Sequence, residues 1–158
     1  MITQRTRYAF KALFQLAGAG GGSLAASEMA AVDNIPRAFL DQILLELRRG
    51  GLIVSKRGRI GGYSLARDPG DISLAEVMRL VDGPLAPLPC LSKTAYRRCA
   101  ECTSEGSCEL RRVFAAVYEK LLMALEGTTL ADGHNTDALE RLADIIGAEP
   151  AGAEQGAA

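Results

Sequence analysis

The fold is decided by residues 36–66, PRAFLDQILLELRRGGLIVSKRGRIGGYSLA. Five apolar residues in their first half recur at helical spacing: Phe39, Leu40, Ile43, Leu44 and Leu47. This spacing predicts an amphipathic helix over 36–49 with these side chains on its inner face, and Gly50-Gly51 is typical of a glycine carboxy-terminal cap. Two short apolar stretches, 52–55 and 63–66, flank a basic, glycine-rich tip and predict a β-hairpin.

Two more helices are predicted before this stretch. One runs from residue 3 to about 17 and ends at the glycine-rich 18–22, because consecutive glycines destabilise a helix. The second runs over 23–31, with Ser23 or Ser27 as its amino-terminal cap. The turn Asp33-Asn34-Ile35-Pro36 joins it to the third helix. Three helices followed by a two-stranded hairpin predict a winged helix-turn-helix, which is a mainly α fold with a small β-hairpin wing.

The third helix of such a fold enters the major groove of DNA, because only that groove admits a helix and presents distinguishable base edges. The side chains predicted to face the groove are Arg37, Asp41 and Gln42. Arg pairs with guanine edges or phosphate, and Gln pairs with adenine. A solvated helix face without a partner is the alternative for these helices alone.

The hairpin tip and the charge distribution favour nucleic acid. Lys56, Arg57 and Arg59 place three cations on one turn, which a phosphate backbone or a narrow minor groove rewards. A loop that charge merely keeps soluble is the alternative. Residues 1–67 hold ten Lys or Arg against four Asp or Glu, whereas residues 68–158 hold eight against fifteen. The basic half is therefore predicted to bind double-stranded DNA.

All four cysteines of the chain fall within 19 residues: Cys90, Cys99, Cys102 and Cys108. Thiolates gathered this closely usually share one metal ion or one iron–sulfur cluster. Nearby cations favour the thiolate form: Lys93, Arg97 and Arg98. The spacing alone leaves zinc, an iron–sulfur cluster, a dithiol switch and plain structural cysteines open.

Two helices are predicted to flank the cysteines. Ser73 caps a fourth helix that ends at about residue 81, with Glu76 three residues after the cap. A proline-containing loop leads to a fifth helix over 109–126, whose apolar stripe suits packing along another helix. A short helix over 136–146 and a disordered tail follow. We therefore expect a DNA-binding domain at 1–82, a cysteine-rich loop at 83–108, a helical part at 109–147 and a tail at 148–158.

Composition argues against membrane and enzyme functions. No stretch approaches the roughly 20 apolar residues of a membrane span, and the amino terminus lacks the apolar core of a signal peptide. A cytoplasmic protein is therefore expected. His134 is the only histidine and lies in a predicted exposed turn. No arrangement of catalytic side chains stands out, so we expect no enzymatic activity.

Five motifs resemble the Rrf family of bacterial transcriptional regulators, in particular its IscR-, NsrR- and RirA-like branch: Arg7-Tyr8-Ala9, Leu40-Asp41-Gln42-Ile43-Leu44, Leu47-Arg48-Arg49-Gly50-Gly51-Leu52, Arg57-Gly58-Arg59-Ile60-Gly61-Gly62-Tyr63 and Ile72-Ser73-Leu74-Ala75-Glu76-Val77. The resemblance covers about residues 1–125. It implies a homodimeric winged-helix regulator, most often a repressor, with the long helix at the dimer interface. Its operator would be pseudo-palindromic, with half-sites ~34 Å apart.

The resemblance also implies a cofactor. Sensing members of the family bind a [2Fe–2S] or [4Fe–4S] cluster through three cysteines, and Cys102 and Cys108 resemble the last two. Cys90 or Cys99 would supply the first, from a longer loop. Arg111 stands where IscR-like members have a histidine ligand, so the fourth cysteine is expected to complete an all-cysteine site. One alternative is a winged-helix regulator or protein-interaction module with a structural zinc or thiol redox site. Another follows from members that carry no cluster, namely a regulator controlled by a small molecule or a partner protein.

Overall fold

A computed structural model describes residues 2–56, 58, 61–135, 137 and 140 of the chain. Five helices and two strands follow one another: α1 (Gln4–Gly18), α2 (Ala26–Val32), α3 (Arg37–Arg49), β1 (Ile53–Lys56), β2 (Gly62–Leu65), α4 (Leu74–Asp82) and α5 (Glu109–Gly127). Short 3-10 turns lie at Pro69–Asp71, Pro89–Leu91 and Asp132–His134. This order confirms the predicted fold class, a mainly α winged helix-turn-helix followed by a long helix.

One hydrophobic core holds the first four helices together. Its fully buried large side chains come chiefly from α1, α2 and α3: Leu13, Leu16, Met29, Leu40, Ile43, Leu44 and Leu47. These positions repeat every three or four residues, so each helix presents one apolar stripe to the others. The opposite face of α3 is thereby left toward solvent.

The end of α3 is fixed by its two glycines, as the sequence predicts. Gly51 has φ +76°, a left-handed conformation that glycine adopts without the strain a side chain would add. The N–H of Leu52 then donates to the carbonyl of Leu47 at 3.0 Å, and the N–H of Gly51 donates to that of Arg48 at 3.1 Å. This is the Schellman pattern, and it directs the chain straight into β1.

The wing is an antiparallel pair with Ile53 opposite Leu65 and Lys56 opposite Gly62. Leu24 adds a short third bridge to Tyr63, through backbone hydrogen bonds of 2.9 Å in both directions. Gly62 is needed here, because a Cβ at this position would lie 2.6 Å from the carbonyl oxygen of Leu24. The wing is therefore fastened to the segment that precedes α2.

That bridge also explains one wrong prediction. Residues 23–25 are extended against the wing, so α2 begins only at Ala26, and neither Ser23 nor Ser27 caps it. Instead the Glu28 carboxylate accepts a hydrogen bond from the N–H of Ala25 at 2.8 Å. The prediction of Ser73 as the cap of α4 is confirmed, since its Oγ accepts from the N–H of Glu76 at 3.2 Å.

Phe39 departs from the predicted inner face of α3. It is 42% exposed and packs edge-to-face on Tyr8 of α1, with ring centroids 5.9 Å apart. The predicted apolar stripe of α3 is wider than the face that contacts the core. Phe39 lies at the edge of this stripe and covers the junction between α1 and α3 instead.

The chain returns to the core after α5. Leu130 is fully buried, and its N–H donates to the carbonyl of Ile72 at 3.0 Å. Further on, His134 Nε2 lies 3.0 Å from the carbonyl oxygen of Phe14. The helix predicted over 136–146 and the tail predicted over 148–158 lie outside the described residues, apart from residues 137 and 140. No helix in the described ranges is both long and apolar enough to cross a membrane.

Candidate DNA interface and cysteine site

The outer line of α3 lies opposite the side of the helix that faces the core. At ~100° per residue, the positions farthest from the buried stripe form one line: Ala38, Gln42, Leu45 and Arg49. All four are exposed. Of the three predicted groove-facing residues, only Gln42 lies on this line. Ala38, Leu45 and Arg49 share this line with Gln42, as the helical periodicity of the buried residues indicates.

Arg37 and Asp41 lie on the flank of α3 and bind each other. The Arg37 Nε donates to Asp41 Oδ1 at 2.9 Å, four residues apart on the same helix. About half of each side chain is exposed, so the pair is held only weakly and can open. Arg37 is therefore available to phosphate or base, with Asp41 as its resting partner.

The wing places more cations beside α3. Lys56 is exposed at the end of β1, and Arg48 donates to the Ser55 hydroxyl at 3.2 Å, across the junction between α3 and the wing. Arg57 and Arg59, the other two predicted contacts of the tip, lie outside the described residues. The described cations thus extend from the outer line of α3 onto the wing.

The cysteine site lies in the loop between α4 and α5. All four thiols line one cavity of about 440 Å³, together with Arg111 on the first turn of α5 and the carboxylate-bearing Glu101. Its volume equals that of roughly 15 water molecules at ~30 Å³ each, which is more than a single ion needs. The structure thus brings together all four cysteines that the sequence singled out.

Each cysteine is positioned by a different local structure. Cys90 is buried in the 3-10 turn Pro89–Leu91. A backbone hydrogen bond of 3.2 Å from the N–H of Cys102 to the carbonyl of Cys99 closes the two-residue spacing into a turn. Cys108 is the amino-terminal cap of α5, and its Sγ accepts from the N–H of Arg111 at 3.4 Å.

The environment of Cys99 disfavours a free thiolate. Partial desolvation, a hydrogen bond with the Cys90 thiol and the negative charges of Cys90, Cys102 and Glu101 all raise the pKa of the Cys99 thiol. A bound cation reverses this, because a coordinating thiol is deprotonated outright.

Arg111 contacts two parts of the cysteine loop at this cavity. Its Nη2 donates to the carbonyl of Cys90 at 3.4 Å, and its Nε lies 3.5 Å from Glu105 Oε2. The Nε is buried and makes no hydrogen bond within the described part of the chain. The Glu105 oxygen at 3.5 Å makes an ion pair with it without a hydrogen bond, which leaves the Nε hydrogen available to a group in the cavity.

The donor set fits an iron–sulfur cluster in its chemistry. Four thiols and one orphaned cationic donor surround a common space, which is what a thiolate-ligated, negatively charged group requires. In the described ranges, no three His, Cys, Asp or Glu side chains converge closely enough to hold a single metal ion as they stand. The cysteine loop would have to adjust on binding.

A helix-turn-helix with a basic wing and an exposed outer line on α3 defines the chain as a winged helix-turn-helix DNA-binding protein. A family model described as "Rrf2: Iron-dependent Transcriptional regulator" matches residues 2–135. The chain therefore belongs to the Rrf2 family of transcriptional regulators, as its sequence motifs predict.

Relatives and solved structures agree with this assignment. An rrf2-like HTH-type transcriptional regulator of Rhodobacter capsulatus is 46% identical over 136 residues, covering 84% of this chain and 91% of that protein. The structure of CymR, the global cysteine regulator of B. subtilis, is 30% identical with a TM-score of 0.65, covering 84% of this chain and 94% of that one. IscR of T. potens is 25% identical with a TM-score of 0.63, covering 99% and 93%.

Proposed function

We propose that this protein is a homodimeric transcriptional regulator, in the first instance a repressor, whose affinity for a pseudo-palindromic operator is controlled by a cysteine-ligated iron–sulfur cluster. The observation that carries the proposal is the cavity between α4 and α5, lined by all four cysteines and by Arg111. The family's description as iron-dependent supports iron as the metal.

DNA recognition would combine α3 and the wing. Gln42 and Arg49 on the outer line would reach base edges, and Arg37 would contribute once it leaves Asp41. Lys56, with Arg57 and Arg59, would bind phosphates or enter the minor groove. Because phosphate contacts release counterions, binding should weaken steeply as salt rises.

The apolar face of α5 supports the dimer. Five of the six residues of the predicted stripe are 38–60% exposed, namely Leu110, Val113, Phe114, Val117 and Leu121, and the sixth, Leu125, is half-buried. Only Leu122 is buried among the 19 residues of α5. Part of this face opens onto a groove of about 510 Å³ that extends across Pro84 and Leu85. A second copy of α5, offering the same self-complementary stripe, would cover a surface that the single chain leaves in water.

The cysteine loop would couple cluster binding to the affinity for DNA. A bound cluster would be coordinated through its iron atoms by the thiolates, and it would supply sensitivity to oxidants. Cys108 caps α5 and Cys90 lies in the turn that follows α4, so ligation fixes the position of the dimer helix relative to the winged helix. The two wings of a dimer would then be spaced differently with and without ligation, and DNA would favour one spacing.

The first test is anaerobic purification followed by an absorbance spectrum and iron and sulfide assays. We expect a brown protein with iron and sulfide bound, and loss of both in Cys102→Ala and Cys108→Ala. Cys90→Ala and Cys99→Ala decide whether the site uses all four thiols. Stoichiometric zinc without iron would contradict the cluster and assign the site a structural role.

The second test measures binding to promoter fragments at several salt concentrations, with cluster-loaded and cluster-free protein. Loaded and free protein should differ in operator affinity, and the four-cysteine variant should behave as the free form. Equal affinities for all three would contradict control by the cluster while leaving DNA binding intact. An absence of binding to any duplex would contradict the whole proposal.

The similarity to CymR favours a second candidate, a cluster-free regulator controlled by a small molecule or a partner protein. The iron assay separates the two. Under this candidate the purified protein contains no iron, and yet it binds operator DNA in a salt-dependent manner.

A further inference from the structure

We propose that Arg111 donates a hydrogen bond from its Nε to the inorganic centre or to one of its thiolate sulfurs, and so raises the reduction potential of that centre. The inference rests on the cluster of the proposed function and assigns one further residue to its regulation.

The first observation is the orphaned donor. Arg111 Nε is buried and makes no hydrogen bond in the described part of the chain, although its Nη2 donates to the Cys90 carbonyl. Its ion pair with Glu105 Oε2, at 3.5 Å, does not satisfy the donor, and a buried donor without a hydrogen bond is costly. The Nε belongs to a side chain that lines the same cavity as the four thiols, so the missing acceptor lies most simply in that cavity.

The second observation is the charge in the cavity wall. Among its lining residues, Arg111 is the only cation, whereas Glu101 adds negative charge to that of four thiolates. The neighbouring Glu105 offsets part of the Arg111 charge through a long ion pair of 3.5 Å from its Oε2, while its Oε1 accepts a hydrogen bond from the Tyr96 hydroxyl. The guanidinium thus keeps positive charge available to the site.

The third observation is how rigidly Arg111 is held. Its backbone N–H binds Cys108 Sγ on the first turn of α5, and its side chain binds the carbonyl of Cys90 on the opposite side of the loop. Arg111 therefore connects the first and last cysteines, through its side chain and its backbone respectively. These two contacts hold it beside the space that a thiolate-ligated group would occupy.

The consequence is a higher reduction potential. Reduction adds one electron to the centre, and a charge-assisted hydrogen bond stabilises the added negative charge. Hydrogen bonds to the sulfurs and net charge are among the factors that set cluster potentials. Arg111 is in this sense a positioning and tuning residue and does not replace a cysteine ligand.

The test compares three variants of the full-length, reconstituted protein by anaerobic redox titration and by iron content per chain. Arg111→Gln should lower the reduced-to-oxidised ratio at a fixed potential at least tenfold, which is 59 mV for a one-electron couple. Arg112→Gln is the matched control, because it removes the same charge from the exposed next residue of α5 and should stay within about threefold of wild type.

Arg111→Lys separates the hydrogen bond from the charge. It keeps the positive charge but lacks the Nε donor, so its potential should fall with that of Arg111→Gln. A wild-type potential in Arg111→Lys, or in Arg111→Gln, would overturn the inference. A structural role would lower the iron content without moving the potential of the protein that remains loaded, and that result would also overturn it.

Failure of the variant to load is informative as well. If Arg111→Gln binds no iron, Arg111→Lys decides alone: a lowered potential supports the inference, whereas an unchanged potential or an empty site overturns it. If wild type itself binds no iron, the cluster of the proposed function fails and the inference falls with it. An unshifted potential in loaded variants overturns the inference alone.

Discussion

Two regions of the molecule differ in how they bury their apolar side chains: the winged-helix region (2–82) and the region formed by the cysteine loop and α5 (83–127). Of the buried hydrophobic residues in the described part of the chain, all but Cys90, Leu122 and Leu130 lie between Ala9 and Val81. In contrast, α5 leaves its apolar stripe exposed. The core of the first region is built from its own residues, with Leu130 added where the chain returns to it, whereas the second region lacks a core of its own.

This difference explains where function resides in each region. The winged helix needs no ligand to hold its shape, so its exposed polar side chains are free to read DNA. Under the proposed function, the second region would gain stability by binding a second copy at α5 and an inorganic centre at the cysteines. A region whose stability depends on what it binds is suited to act as a switch.

The largest effect is expected from adjacent leucines of α3. Leu44 is fully buried and Leu45 is 37% exposed. Leu44→Ala should lower the free energy of unfolding by about 2–5 kcal/mol, because it leaves a cavity in the core. Leu45→Ala should change it by no more than about 0.5 kcal/mol. Urea unfolding at a fixed protein concentration measures both, and equal losses would show that the core is not where we place it.

The next effect tests whether α5 is completed by a second copy. Leu121→Asp should raise the dimer dissociation constant at least ~100-fold, which is about 2.7 kcal/mol, because it places a charge on the apolar stripe. Met123→Asp is the matched control, since Met123 is 63% exposed but lies on the other side of α5. Analytical ultracentrifugation over a range of concentrations measures both constants. Equal dissociation of the two variants would argue against the stripe as the interface.

The same contrast shows what could be predicted from the sequence. Helical periodicity and paired glycines predict α3 and its end almost to the residue, because the signals are local and the stripe faces a core within the same chain. The cap of α2 was missed because the bridge from Leu24 to Tyr63 connects residues far apart in the sequence. No local signal indicates such a contact.

The site divides in a similar way. Cysteine spacing predicted which thiols gather, and all four line one cavity. The orphaned Nε of Arg111 and its bond to the Cys90 carbonyl could not be predicted, because they depend on how the loop folds back onto α5. Arg37 and Asp41 were predicted as separate groove-facing side chains, although their spacing of four residues on one helix already favours the ion pair between them.

A third prediction refines the DNA-reading face within the first region. Gln42→Ala should cost about 1–3 kcal/mol of discrimination at one base pair, since a bidentate contact to adenine is lost. Arg37→Ala should have a smaller effect on discrimination, because Arg37 lies on the flank of α3 and must first leave Asp41. Binding to a set of operator variants at constant salt measures both. A larger loss of discrimination for Arg37→Ala would move the reading face to the flank.

The smallest expected effect concerns acid stability, and it lies in the first region. Desolvation alone would raise the pKa of Asp33, but hydrogen bonds from Lys11 and Gln15 and the charge of Lys11 outweigh it and lower the pKa below its usual value. Asp33 ends α2 and lies 2.9 Å from the Lys11 ammonium on α1. A lowered pKa means that the ionised carboxylate stabilises the fold at neutral pH, and that this contribution is lost as pH falls below about 4.

Asp33→Asn should therefore reduce stability by less than about 1 kcal/mol at pH 7, because the pair is partly exposed. The difference from wild type should shrink as the pH falls below about 4, where the wild-type carboxylate becomes protonated. Lys11→Met should produce the same pH-dependent loss, since it removes the other half of the pair. If the stability difference between wild type and Asp33→Asn stays constant down to pH 3, the asparagine destabilises the fold through packing. The ion pair between α1 and α2 would then not be its cause.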